Sequence, residues 1–141
     1  MKFDITISNE KETQFIDDKI VAFNRNHAAF TQNSDFVSLN FHIKDKNGFL
    51  IAGINSFMYC WGMLYVDVLF VEENHRGEQL GSFLLNKVEA EAKSMGATLS
   101  HLDTFDWQAK DFYIKHGYEI FGILEGCPPK HKGYCMKKVL E

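Results

Sequence analysis

The stretch Glu73–Gly96, ENHRGEQLGSFLLNKVEAEAKSMG, places the tightest limit on the fold. A polar turn holding Arg76, Gly77 and Gly81 opens directly into an amphipathic segment. Leu80, Leu84, Val88 and Ala92 fall four apart, and Phe83 and Met95 extend the same face. That spacing predicts a helix with one buried side, and Gly96 supplies its C-terminal stop. Just before the turn, Met63–Val71 (MLYVDVLFV) is apolar nearly throughout, as a central strand is. A strand that feeds through a glycine turn into a helix aims the helix's unpaired first N–H groups back at the strand end. Gly77 lets the chain turn, Gly81 permits close approach, and Arg76 can fork onto an oxyanion, so the outline is that of a phosphate site. It is not a Walker A loop, because Gly-Lys-Ser/Thr is missing, nor a dinucleotide fingerprint, because G-x-G-x-x-G is missing.

Periodicity predicts the remaining elements. Lys2–Ser8 alternates as a first strand, and Lys11 to about His27 carries a helical stripe of Phe15, Ile16, Ile20 and Phe23. Phe36–Lys44 and Phe49–Phe57 read as a hairpin around the turn DKNG, and Gly62 marks a break. Ala97–Asp103 is a strand, and Asp106 reads as the N-cap of a short helix from Trp107 to His116. Tyr118–Leu124 and Tyr134–Leu140 are the last two strands. The order β, α, β-β-β, α, β, α, β-β implies an α/β fold with a mixed, mostly antiparallel sheet and one βαβ unit. The 141 residues suit a single domain, 1–141.

Charge and cysteine content narrow the function. A net charge of −4 with no long basic stretch argues against nucleic acid as a partner. Cys60, Cys127 and Cys135 lack metal-ligand or CxxC spacing, the six histidines lack ligand spacing, and no metal site is expected. An odd, sparse cysteine count suits a reducing compartment, hence a cytoplasmic location. The apolar run Phe49–Val71 is broken by Asn55, Ser56 and Asp67, so no membrane span is read.

Two stretches together resemble the GCN5-related N-acetyltransferase (GNAT) superfamily, in a branch of small bacterial members. The family's pyrophosphate motif, Q/R-x-x-G-x-G/A, is similar to Arg76-Gly77-Glu78-Gln79-Leu80-Gly81, with Gln79 where the family usually has Gly. A second family motif, N-x-x-A-x-x-F-Y-x-x-x-G-F/Y, resembles the run from Asp106 through Ala109, Phe112, Tyr113 and Gly117 to Tyr118, with Asp in place of the first Asn. The resemblance covers nearly the whole chain. It implies central parallel strands splayed to hold acetyl-CoA, a pyrophosphate held by the N–H groups from Gly77 to Ser82, and pantetheine amides bonded along Leu69, Phe70 and Val71. It places Asp106, Ala109 and Tyr113 along the pantetheine arm, and implies a homodimer.

The implied reaction is direct attack of a primary amine, of a small molecule or a peptide, on the acetyl thioester through a tetrahedral intermediate. By resemblance, Tyr113 is the proton donor to the leaving thiolate, and Tyr65 stands where some relatives carry a catalytic glutamate. Asp67 is the lone carboxylate of its apolar strand. A period of two puts it on one face with Tyr65, Leu69 and Val71, and a buried charge there calls for a role or a partner, as base or ammonium anchor or as a structural hydrogen-bond acceptor. By the same resemblance, the C-terminal hairpin region that carries His131 and Glu125 helps line the acceptor side. The alternative is a catalytically degenerate acyl-CoA-binding or protein-interaction module.

Overall fold

A computed structural model describes residues 2–141. They form two compact units, one up to Thr31 and one from Gln32 to Glu141. The first holds helix α1, Glu10–His27, whose N-cap Asn9 accepts from the Glu12 N–H at 3.0 Å. Phe15, Ile16, Ile20 and Phe23 form the predicted stripe, and all four are exposed. The predicted strand Lys2–Ser8 does not form. Phe3, Ile5 and Ile7 alternate as expected but are exposed, and no described strand pairs with them; alternation makes a strand only where another edge accepts its ladder.

The second unit is a seven-stranded sheet: β1 (Phe36–Ser38), β2 (Phe41–Lys44), β3 (Leu50–Tyr59), β4 (Met63–Val71), β5 (Leu99–Phe105), β6 (Glu119–Glu125) and β7 (Lys132–Val139). The order is β1-β3-β4-β5-β7-β6, with β2 also on β3. Every pairing is antiparallel except β4 with β5. Helix α2, Leu80–Ser94, is the crossover between those two strands, and α3 is Lys110–Lys115. The predicted single strand Phe36–Lys44 is two, because the chain breaks at Leu39 and Asn40. There the Ser56 hydroxyl donates to the Leu39 carbonyl at 2.5 Å, and the Asn40 side chain accepts from the Ser56 N–H at 3.0 Å. The DKNG turn is held by Asp45, whose side chain accepts from the N–H groups of Asn47 and Phe49, with Gly48 at φ +88°.

The core lies between one sheet face and α2. Ile54, Met58, Leu64, Leu102 and Met136 meet Leu84, Leu85, Val88 and Ala92. Full burial of one such leucine contributes roughly 2 kcal/mol. One charge lies within this layer. Glu89 of α2 is 7% exposed; it accepts from Lys138 Nζ of β7 at 2.6 Å and from the Tyr118 hydroxyl at 2.9 Å. Tyr118 also shares a hydrogen bond of 2.7 Å with Ser100 of β5. Burial and the Glu89 carboxylate push the Tyr118 pKa far up, so the hydroxyl stays protonated and donates. The network ties α2 to β5, β7 and the start of β6, and it leaves no buried side-chain polar atom unpaired among the described residues. The described residues include no helix long and apolar enough to cross a membrane.

Replacing Lys138 by Met keeps the stem but leaves Glu89 with one donor. Loss of a charged hydrogen bond at this depth should lower stability by about 2–3 kcal/mol, read as a lower denaturant midpoint at unchanged slope. A shift within experimental error would remove this network from the account of the fold.

Candidate active-site cleft

The sequence of β4 contains an irregularity that periodicity hides. Ser56 of β3 faces Val66, whereas the next residue, Asn55, faces Val68, so Asp67 is an extra residue in the ladder. The bulge inverts the pleat. Before it, Leu64 and Val66 point into the core; after it, Leu69 and Val71 do, while Val68 and Phe70 are exposed. The expectation that Tyr65, Asp67, Leu69 and Val71 share one face is therefore corrected: Tyr65 lies on the outer face, and Leu69 and Val71 on the core face. The cost argument for Asp67 changes too, because its side chain is exposed and engages no hydrogen-bond partner among the described residues.

The parallel strands part at the same place. The β4–β5 pairing runs from Met63↔Leu99 to Val66↔Leu102 and stops. Beyond it β4 stays on β3 as far as Val71, and β5 stays on β7 as far as Phe105. The facing edges of β4 and β5 are left without a ladder partner. Into this gap opens a cleft of about 930 Å³ lined by residues 66–71, 75–77, 79–82, 103–104, 107–109, 112–113 and 115–116.

Most residues singled out from the sequence meet here. Asp67, Leu69, Phe70, Val71, Arg76, Gly77, Gln79, Leu80, Gly81, Ser82, Ala109 and Tyr113 all line the cleft. Glu78 does not; its carboxylate lies 3.1 Å from His75 Nδ1. Asp106 does not line it either, and it does not cap a helix. Helix α3 begins at Lys110, with Ala109 as its N-cap residue and no side-chain cap. Asp106 instead accepts from the Lys132 N–H at 3.0 Å and lies 2.9 Å from His131 Nδ1. Burial alone would raise its pKa, but those two partners outweigh it and hold the carboxyl below its ordinary range. Asp106 and His131 thus fasten β7 to the loop after β5.

The turn before α2 has the form its sequence suggested. Gly77 lies at φ +84°, with open space where a Cβ would stand. Gln79, the residue before the helix, lies at φ +67°, in the left-handed region. This explains glycine at that place in the motif, and gives Gln79 a strained backbone. Gly81 serves a different neighbour from the one expected, since a Cβ there would come 3.3 Å from the Phe112 ring. Its missing side chain lets α3 pack on the first turn of α2. Arg76 Nε donates to the Val71 carbonyl at 3.3 Å, which holds the guanidinium beside the end of β4. Ser82 Oγ lies 2.9 Å from His116 Nε2.

Tyr113 is 6% exposed, yet its hydroxyl has no protein partner and is not sealed off, so it faces the cleft. Burial pushes its pKa up to about 12. On the outer sheet face at the opening, Tyr65 donates to Asp103 Oδ2 at 2.9 Å, and Tyr59 lies 2.7 Å from His101 Nε2. Burial, the bond to Asp103 and the charges of Asp103 and Asp67 push Tyr65 up to about 12, while burial lowers the His101 pKa against a smaller opposing pull from Asp103. Sequence reasoning missed Asp103, His101 and Trp107. Asp103 and His101 alternate with buried Ser100, Leu102 and Thr104, so that pattern marks them as outward-facing on a central strand. Trp107 stacks on Phe105 at 4.7 Å and 4°. No group of three or more His, Cys, Asp or Glu that could hold a metal ion occurs among the described residues.

The two backbone positions at this turn make opposite predictions. Gln79→Gly removes left-handed strain and should stabilise the chain by about 1 kcal/mol, and Gly77→Ala should destabilise it by a similar amount. Both are read from denaturation midpoints, and the same sign for both variants would contradict the assigned backbone.

Residues 38–120 match the acetyltransferase (GNAT) domain family. The chain is 30% identical over 118 residues to an acetyltransferase of Agrobacterium fabrum, covering 84% of this chain and 83% of that one. It is 36% identical over 81 residues to the blasticidin-S acetyltransferase of Streptomyces morookaense, a match spanning 57% of this chain and 60% of the relative's length. The crystal structure of an acetyltransferase from Bacillus cereus superimposes with a TM-score of 0.89 at 30% identity, over 98% of both chains. With its parted parallel strands and glycine turn, the chain belongs to the GNAT acetyltransferases.

Proposed function

We propose that this chain transfers an acetyl group from acetyl-CoA to a primary amine by direct attack. The observation that supports this most is the charge layout of the cleft. His75, Arg76, Lys115 and His116 come from the turn before α2 and the end of α3, while Asp67 and Asp103 stand where β4 and β5 part. A ligand with phosphates at one end and an amine-reactive group at the other suits that layout. The fit is also steric and polar: an unpaired β4 edge, free N–H groups at the start of α2, and a turn at Gly77 with no side chain in the way.

The N–H groups from Gly77 to Ser82, with Arg76, would hold the pyrophosphate. Leu69, Phe70 and Val71 would bond the pantetheine amides as an added strand does, and Ala109 and Tyr113 would shape the wall. Acetyl-CoA supplies an acetyl group already activated as a thioester. The chain's own residues manage protons. An alkylamine has a pKa of about 10 and is almost wholly protonated at neutral pH. The neutral fraction attacks, and Asp67, exposed and unengaged, accepts the proton that the nitrogen sheds as its bond to the carbonyl carbon forms. Tyr113 faces the departing sulfur. A thiol has a pKa of about 8.5, so full transfer from a hydroxyl at about 12 is uphill; Tyr113 acts chiefly by hydrogen-bonding the developing charge. The Streptomyces relative is named for acetylating blasticidin S, which makes that compound a reasonable first acceptor to screen.

Calorimetric titration with acetyl-CoA, followed by thiol release with an amine panel, tests the proposal. Arg76→Ala should weaken acetyl-CoA binding by about tenfold or more. Tyr113→Phe should leave binding nearly unchanged and lower kcat by about a hundredfold. Because the Tyr113 hydroxyl stays protonated until the pH nears 12, kcat should show no loss from this group between about pH 8 and pH 10. Binding of acetyl-CoA without transfer to any amine would favour the binding-module reading, and no binding would remove the cofactor.

A further inference from the structure

We infer that Asp103 selects acceptors bearing a second positive charge besides the amine that is acetylated. This rests on the reading of the cleft as an acetyltransferase site. Two carboxylates, Asp67 and Asp103, stand at the end of the cleft away from Arg76 and the α2 turn, and they differ in how they are held. Asp67 is the bulged, unengaged residue of β4. Asp103 is held by a side chain of β4. The Tyr65 hydroxyl donates to its Oδ2 at 2.9 Å, and in the β5–β7 ladder Cys135 stands opposite it. A carboxylate so anchored has lone pairs left for a cation but is badly placed to move with a proton, whereas the free Asp67 is suited to accept one.

Among the described residues, no lysine or arginine forms an ion pair with either carboxylate. Lys137 of β7 lies opposite His101, but its Nζ sits over the Phe121 ring at 5.8 Å and 3.9 Å from Glu119. The surrounding surface is aromatic instead. Phe57, Tyr59, Tyr65 and His101 pack in a patch with ring centroids 5.0 to 6.1 Å apart. Carboxylates beside ring faces suit an organic cation, through ion pairing and cation–π attraction. One carboxylate suffices for a monoamine that loses its proton on attack; the second, held in place by Tyr65, gains a cationic partner when the acceptor brings another cation.

The test uses a ladder of α,ω-alkyl diamines and the matching monoamines, titrated calorimetrically into the chain with and without saturating CoA and assayed for thiol release. The wild-type chain should bind one or more diamines about tenfold tighter than the matched monoamine. Asp103→Asn should abolish that preference through KM, raising the diamine KM about tenfold and the monoamine KM by much less, and leave the acetyl-CoA Kd within about twofold. Tyr65→Phe should reduce the preference without abolishing it. Equal wild-type affinity for diamines and monoamines along the whole ladder, or equal loss of both in Asp103→Asn, overturns the inference. Absence of CoA binding is a separate failure, that of the acetyltransferase reading, because the diamine titration without CoA still reports on Asp103.

Discussion

A single extra residue in β4 determines where this sheet opens. Asp67 interrupts the β3–β4 ladder, and the β4–β5 pairing ends one residue before it, at Val66↔Leu102. The irregularity continues across the neighbouring strands. Ser56, opposite Val66, also binds Leu39 and Asn40, where the chain breaks between β1 and β2. A β-bulge bends its strand and increases local twist. Here it turns β4 away from β5 while β3 follows, and the exposed backbone edge becomes the floor of the cleft.

Opening a sheet at its centre costs ladder hydrogen bonds, so the strands must be held together elsewhere. Below the gap, the four paired residues of β4 and β5 carry buried Leu64, Val66, Ser100 and Leu102 against α2. The Glu89–Tyr118–Lys138 network then joins α2 to β7 and β6 on the far side of β5. A buried ion pair often adds little net stability over apolar packing. Its contribution in this position is geometric: α2 is fixed against β5 and β7 while its first turn, at the other end, stays open toward the cleft.

Much of this was legible in the sequence. The α2 stripe, the apolar β4 run and the positions of Gly62, Gly77 and Gly96 gave the βαβ unit, because those signals are local. Three features were not legible, for a common reason. The bulge at Asp67 depends on pairing with Asn55 and Ser56 of β3, a contact between residues distant in the chain, so counting by two carried past it. Asp106 has the side chain of a helix cap, but the Lys132 N–H competes for the same oxygens across the sheet. Phe3, Ile5 and Ile7 alternate perfectly, yet a strand is a property of two segments, and no described strand supplies the second. Asp103 was overlooked because it looks like any outward-facing carboxylate until Tyr65 is seen to hold it.

The same geometry separates the roles of the two aspartates. Asp67 owes its freedom to the bulge: an extra residue has no cross-strand partner to engage its side chain. Asp103 owes its fixity to the regular β5–β7 ladder, which sets Cys135 beside it, and to the last regular stretch of β4, which sets Tyr65 within reach. One carboxylate stands on the irregular side of the parting and the other on the regular side. One unengaged carboxylate and one held carboxylate thus stand at one opening without further elements, while Arg76 is held at Val71, the last residue of β4.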